Sequence, residues 1–579
     1  MSYLHNDPSV FREEMIDGFV AVHSDLVRRV SGGVARRHAA PEGHVAVVVG
    51  GGSGHYPAFA GLVGPGLAHA AAMGGVFASP SAAQVEAAAR AVDTGAGVLL
   101  AYGNYAGDVL NFDSAQAELR ADGIPCRSVA VTDDIASAGP DEQHRRRGLA
   151  GDLVVFKAAA WAAEQGRTLD DVAEVAQLAN ARTRTLGVAY TGSTLPGADQ
   201  PLFTIPDGRM GLGIGIHGEP GLDELPVANA DETAAMMIDR LLEESPADAG
   251  RRLGVIVNGL GSVKGEELFV YFAGVRRHLL ARGYDLVAPQ VGEFVTSFEM
   301  AGVSLTLVWL TDELEAAWCA PVWTPSLRTG ATPPPDATRL ADDVEGTAVD
   351  EPVDGGDATS DRDRALAMAV SRAFAAGAAA IDAEVDDLGR LDSIAGDGDH
   401  GIGMQRGITA AASAAALSVR HSKGLAGTLD AAGRAWAEKA GGTSGALWGL
   451  GLRTAAAHLS RCDDATEADI ATAVAAGIAA IREKGGARVG DKTMVDAAAP
   501  FAKALAARGG DRSAAWLAAA GAASRGAAET ARLGARTGRA RAHGDKGIGH
   551  PDPGAVSFAL LANVAVTTLL PTLTEGAHS

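Results

Sequence analysis

Apolar residues follow two different rhythms along this chain, and the change falls past its middle. In the first part short β-branched runs recur, at Val45–Val49, Val98–Tyr102, Ser128–Thr132, Gly254–Asn258 and Val303–Leu310. Stretches of helical spacing separate them. Consecutive apolar positions suit strands covered on both faces, so the pattern predicts βα units around a mostly parallel sheet. The strand spacing predicts two lobes dividing near residue 185. Later in the chain apolar residues come at helical spacing within Ala-rich stretches, over 362–384, 405–417, 428–439, 445–459, 466–484, 494–507, 513–533 and 554–570. No convincing strand interrupts them, which predicts an all-helical bundle. Residues 329–361, rich in Pro, Asp, Thr and Gly, show neither period and read as an acidic linker. The expected domains are therefore 1–328, multidomain α/β in two lobes, and 362–579, all-α.

Composition narrows the function classes. Hydrophobic residues make up 47% and charged residues 21% of the 579, an ordinary globular balance. A net charge of −22, from 71 acidic and 49 basic residues, argues against a nucleic-acid or anionic-membrane partner. The three cysteines, Cys126, Cys319 and Cys462, lie far apart without CxxC spacing, so a reducing cytoplasm fits and a thiolate zinc site does not. Neither a signal peptide nor a membrane span is expected from the apolar runs.

Glycine is abundant and clustered. In VAVVVGGGSGHYPAFA (45–60) a buried strand runs into Gly50–Gly54 and then His55. Such a loop at a strand's carboxyl end can line a ligand pocket, or can be a plain tight turn. In YGNYAGDVLNF (102–112) Asp108 either caps the following helix or serves chemistry. GLGIGIHGEPG (211–221) matches GxGxxG at Gly213, Gly215 and Gly218, yet Glu219-Pro220 stand where a helix should begin. The dinucleotide reading fails on that context, leaving a rigid segment that presents His217, structural or catalytic.

In DSIAGDGDHGIG (392–403) three carboxylates, Asp392, Asp397 and Asp399, crowd a glycine turn. They repel one another unless a cation sits among them, and hard oxygens favour Mg²⁺ or Ca²⁺; a solvated acidic turn is the bland alternative. An EF-hand is excluded, because counting from Asp397 puts Ile408 where a bidentate Glu is required. GGTSG (441–445) precedes a helix and can hold an anion at its N-terminus. GGARVGDKT (485–493) misses a Walker A loop by one residue, with Asp491 in the place of the lysine. No protein-kinase motif set occurs either.

Together these stretches resemble the dihydroxyacetone kinase family in its single-chain, ATP-dependent form. The matching segments are GGGSGHYPA (50–58), NYAGDVLNF (104–112), GIGIHGEPG (213–221), DSIAGDGDHG (392–401), GGTSG (441–445), GDKTMVDA (490–497) and GHPDPGA (549–555), in family order. The resemblance implies a two-lobed α/β ketone-binding domain followed by an antiparallel helical barrel that binds ATP and Mg²⁺. It implies that His217 adds covalently to the ketone as a hemiaminal, that Asp108 takes the proton from the reacting hydroxyl, and that His55 assists proton transfer. Gly52, Ser53, Gly54, His55, Gly103 and Asp108 then line the ketose site. Asp392, Asp397 and Asp399 hold Mg²⁺. His400, Gly401, Ile402, Gly403, Thr443, Ser444, Gly486, Thr493, Met494, Arg539, Asp552, Pro553 and Gly554 contact nucleotide. A homodimer through the α/β domain and transfer across the domain interface, with the linker as tether, are also implied.

Two positions depart from the family pattern. Tyr56 stands where the family usually has Glu, and Gly103 where it usually has a Lys that contacts substrate. The expected consequence is an altered sugar pocket, with room at Gly103 for a four-carbon ketose such as erythrulose. Other expectations the resemblance leaves open are an FMN cyclase-type lyase side activity, a sugar-sensing regulatory role, and a phosphotransfer-protein-dependent kinase, usually carried on separate chains.

Overall fold

The computed structural model describes residues 4–330, 356–396, 398–462, 464–506, 512–537 and 546–574. The chain divides into two compact units at residues 347 and 348. The linker expected at 329–361 lies, over 331–355, outside the described residues.

The first unit is built on two six-stranded sheets. Strands β1 (Val27–Val30), β2 (Gly33–Arg36), β3 (Ala46–Ser53), β4 (Ala70–Val76), β5 (Val98–Gly103) and β6 (Cys126–Val131) form one, in the order β1-β2-β4-β3-β5-β6. The β4-β3-β5-β6 part is parallel, as the pattern predicts. Its central strands read as unbroken apolar runs because both faces are covered. Ala46, Val48, Val98 and Leu100 pack against Val85, Ala88, Phe112 and Leu119 of the helices Ala82–Arg90 and Ala106–Ala121. Val47, Val49, Leu99 and Ala101 point the other way, into a core with Leu153, Phe156, Val172 and Ala176 of Gly151–Glu164 and Leu169–Ala181.

The second sheet comprises β7 (Thr183–Ala189), β8 (Arg209–Leu212), β9 (Asp223–Pro226), β10 (Arg252–Gly259), β11 (Asp285–Gly292) and β12 (Gly302–Trp309), ordered β11-β10-β12-β7-β8-β9. The lobe boundary thus falls beside the expected residue 185. The strand direction differs from expectation: only β10–β11 is parallel, and the β10–β12, β12–β7, β7–β8 and β8–β9 pairs are antiparallel. All eight residues of β12 are buried, so it reads apolar whatever the direction of its neighbours.

The second unit is helical, with Asp361–Asp392, His400–Arg420, Leu425–Ala440, Gly442–Leu459, Glu467–Gly485, Val495–Ala506, Arg512–Glu529 and Pro553–Thr574. Each packs on the next and the last packs on the first, which closes a barrel. Every helix anticipated from spacing is present. Two of them, Asp361–Asp392 and Pro553–Leu573, are long and apolar enough to cross a membrane by length and composition alone. Leu366, Val370, Phe558 and Val566 from these two helices pack in the barrel's own core.

Candidate functional site

Three loops at strand ends meet around two histidines. Strand β3 ends at Ser53, whose hydroxyl donates to the Gly74 carbonyl (2.7 Å) and fixes the turn. Gly54 follows with φ +103°, where a Cβ would also approach the rings of Phe298 and Phe77 within 2.7 Å. That left-handed turn drops His55 into the interior, 2% exposed and stacked on Phe77 with ring centroids 4.7 Å apart. The segment Gly213–Leu222 runs between the antiparallel β8 and β9, which explains why its GxGxxG match is not a dinucleotide loop. It carries His217 to within 3.0 Å of His55, Nε2 to Nε2. Tyr105, the N-cap residue of the helix after β5, closes the other side with its ring edge-on to His217 at 4.7 Å.

A chain of charges stands behind His217. Its backbone N–H donates to Glu219 (3.0 Å), and its Nδ1 lies 3.3 Å from the same carboxylate. Arg147 pairs with Glu219 at 3.5 Å and with Asp134 at 2.8 Å. Burial alone would raise Glu219, but the Arg147 guanidinium and His217 hold it far below the usual carboxylate range. For Arg147, Asp134 and Glu219 outweigh the cost of burial and push it up.

The tautomers follow from these partners. His55 Nδ1 sits 2.7 Å from the Thr296 carbonyl, an obligate acceptor, so it carries a proton. His217 Nδ1 faces an obligate acceptor too. The Nε2 atoms of the two rings then face each other at 3.0 Å, close enough for a proton to pass between them. Burial, and then the neighbouring His217, lower His55 to about 3, which disfavours a charge on its ring.

Asp108 does not cap its helix: Tyr105 is the N-cap residue and no side-chain cap bond is present. Asp108 lies buried in the first turn, beside Asp152, whose carboxyl it helps to raise. Tyr56 does not enter the pocket as its motif position suggests. Its side chain is 47% exposed, its hydroxyl bonded to Ser326 (3.0 Å) and its ring edge-on to Phe19. Glu219, Arg147, Tyr105, Phe77 and Thr296 were missed by sequence reading; Glu219, two residues from His217, and Tyr105, three residues before Asp108, stood inside noted motifs.

In the helical unit Asp392 ends one helix and Asp399 precedes the next, with the His400 N–H donating to Asp392 (3.3 Å). His400 Nε2 lies 2.9 Å from Ser557 Oγ, which ties this turn to the Asp552–Gly554 helix start. Asp552 accepts from the Ala555 N–H (2.7 Å). Lys492 is threaded beneath the loop, donating to the carbonyls of Thr530 (2.7 Å), Gly547 (3.0 Å) and His550 (2.6 Å). Asp496 accepts from the Thr493 N–H (2.8 Å), and Met494 lies against Gly554. Gly403 approaches Ala440, just before Thr443 and Ser444 in the first turn of Gly442–Leu459, while Gly486 ends Glu467–Gly485 in the left-handed region. Gly401 lets this turn lie against the Val385 carbonyl, and Ile402 is half-exposed. Asp397 and Arg539 lie outside the described residues. Among the described residues no three ligating side chains form a cluster.

The donor set fits a hard cation. Burial, then the charge of Asp392, raise Asp399 to about 7; burial first, with Asp392 and Asp496 adding to it, raises Asp552 to about 7. Raised carboxyls contribute stability below their unfolded range and lose it as pH rises through about 7, unless a cation replaces the protons. Mg²⁺ is therefore expected to raise the melting temperature of the full chain, by more at pH 8 than at pH 5.5, in differential scanning fluorimetry. An equal shift at both values would contradict this.

Comparison with known proteins gives the same two halves. Residues 17–326 match the Dak1 domain and residues 394–567 the DAK2 domain. The chain is 49% identical to the L-erythrulose kinase of Pectobacterium atrosepticum, over 100% of this chain and 98% of that one. It is 48% identical to the D-erythrulose kinase of Mycolicibacterium smegmatis, over 97% of each. The crystal structure of the dihydroxyacetone kinase from C. freundii in complex with AMP-PNP and Mg²⁺ matches at 30% identity and a TM-score of 0.53, over 98% of this chain and 99% of that chain. With both domains in one polypeptide and relatives aligned end to end, the chain belongs to the dihydroxyacetone kinase family and is an ATP-dependent kinase.

Proposed function

We propose that this kinase phosphorylates a terminal hydroxyl of a short-chain ketose, with erythrulose preferred to dihydroxyacetone, while the ketone is held as a hemiaminal on His217. The observation that carries the reading is the Nε2–Nε2 contact of 3.0 Å between His217 and His55, with Glu219 behind it. A ketone entering here replaces that contact. The His217 Nε2 lone pair bonds to the carbonyl carbon, and the carbonyl π pair takes a proton from solvent, relayed by His55 Nε2, to become a hydroxyl. The alkylated ring keeps the positive charge, stabilised by Glu219 at Nδ1. Only a carbonyl can accept this nitrogen, so alcohols such as glycerol are excluded.

Asp108 then takes the proton from the terminal hydroxyl, whose oxygen attacks the γ-phosphorus of ATP and releases ADP. Asp392 and Asp399, with Asp397, would hold Mg²⁺, which would supply positive charge to offset that of the phosphates. His400, Gly401, Ile402, Gly403, Thr443, Ser444, Gly486, Thr493, Met494, Asp552, Pro553 and Gly554, with Arg539, would hold the nucleotide. The four-carbon preference is supported by Gly103 and by the two erythrulose kinases aligned over nearly the whole chain. The three free cysteines fit a cytoplasmic enzyme, and the family resemblance a homodimer through the α/β unit.

A substrate panel tests the reading: kcat/KM for at least one erythrulose enantiomer should exceed that for dihydroxyacetone, and the reverse order for both enantiomers would refute the preference. Glu219→Gln keeps the shape but removes the charge behind His217. It should lower kcat/KM about 100-fold for every ketose while leaving nucleotide affinity unchanged in isothermal titration. An effect under about threefold would show that Glu219 does not support the imidazole.

A further inference from the structure

Gly103 ends β5, and its backbone does not require glycine: it lies outside the left-handed region, unlike the many glycines of this chain that are confined there. A Cβ at this position would meet Tyr105 at 3.2 Å and the Asp152 carboxylate, Oδ2, at 3.6 Å. Gly148 adjoins it, and a Cβ there would come within 2.8 Å of Asp152 Oδ1. The carboxyl of Asp152 therefore faces two residues without side chains. Tyr105, whose hydroxyl donates to the Gly148 carbonyl (2.9 Å), connects this spot to the His217 ring.

Asp152 is 3% exposed, and its Oδ1 is buried with no hydrogen-bond partner. A buried polar atom left unpaired costs stability and calls for an explanation. An acidic residue in the first turn of Gly151–Glu164 could serve the helix dipole, but that role needs a charge. Burial, then Asp133 and Asp108, raise this carboxyl well above its usual range, which disfavours the charge a dipole role would use; a protonated carboxyl both donates and accepts.

We propose that Asp152 forms a subsite that hydrogen-bonds the fourth-carbon hydroxyl of a tetrulose across the bare position at Gly103. This rests on the four-carbon reading above. Dihydroxyacetone has no group to reach the subsite, so Asp152 sets the preference between substrates rather than the chemistry. A site built to bond a hydroxyl discriminates against the analogue that lacks it, because its own polar atom is then left unpaired.

The test compares full-length wild type, Asp152→Asn and Asp152→Leu by ADP release, reading the ratio of kcat/KM for the better erythrulose enantiomer to that for dihydroxyacetone. Asparagine keeps a donor and an acceptor in the same shape, and its ratio should stay within about threefold of wild type. Leucine removes both, and its ratio should fall at least about tenfold. Should Asp152→Leu not fold, Asp152→Ala is read in the same way. An unchanged ratio in the apolar variant overturns the subsite, as does an equal loss on both substrates, which is the signature of a purely structural role. A wild type that prefers dihydroxyacetone overturns the four-carbon reading itself, and the subsite with it; a wild type that prefers erythrulose with an unchanged variant ratio sinks the subsite alone.

Discussion

His217→Ala is expected to lower kcat/KM for every ketose by about 10⁴-fold or more, since it removes the nitrogen that bonds the substrate. The loss should be so large because nothing nearby can substitute. His55 is held 2% exposed by Thr296 and Phe77, with its free nitrogen directed at His217. Glu219 and Arg147 would remain as a charged pair with no ring to support. Nucleotide binding should survive, because the residues assigned to it belong to the helical unit. Retention of Mg-ATP affinity in titration calorimetry, together with lost turnover, separates this from misfolding. Residual activity within tenfold of wild type would remove the covalent step from the account.

Asp399→Ala should be nearly as severe and should fail differently, with turnover falling by about 10³-fold or more. Asp399 is drawn up to about 7 by burial and by Asp392, so its removal relieves the unliganded protein of a strained carboxyl. The melting temperature without metal should therefore hold or rise, and the shift on adding Mg²⁺ should shrink or vanish. Ketone capture by His217 should persist, seen as conversion of a ¹³C-labelled carbonyl resonance to a tetrahedral one. An intact Mg²⁺ shift in Asp399→Ala would place the cation elsewhere.

The helical half was the more legible one. Its spacing of 3.6 residues survives in Ala-rich sequence because helix geometry is local, and no other element competes for it. Strands were read only where β-branched or other bulky apolar residues formed a run. Ala70–Val76, with the sequence AAAMGGV, is buried in the sheet but carries one β-branched residue. Strand β11 sits at a sheet edge, half-exposed and containing Pro289, and gives no alternating signal. Direction was illegible for β12, since burial on both faces erases the mark that separates parallel from antiparallel pairing.

The site was legible as motifs and illegible as geometry. His55 and His217 lie 162 residues apart, and no spacing rule brings their rings to 3.0 Å. Asp152 and Arg147 belong to no motif; only the fold sets them beside Gly103 and Glu219. Tyr56 shows the converse. Its place in the motif suggested a pocket residue, yet the turn after His55 sends it outward to Ser326. Of the two departures from the family pattern, only Gly103 lies beside Tyr105 and Asp152.

Covalent capture means that this kinase selects its substrate by a carbonyl. A coupled ADP-release assay on the wild-type chain with Mg-ATP tests it most directly, offering dihydroxyacetone, both erythruloses and glycerol. ADP release with a ketose at least about 10³-fold more efficient than with glycerol is the expected result. Comparable turnover of glycerol would contradict covalent selection at His217.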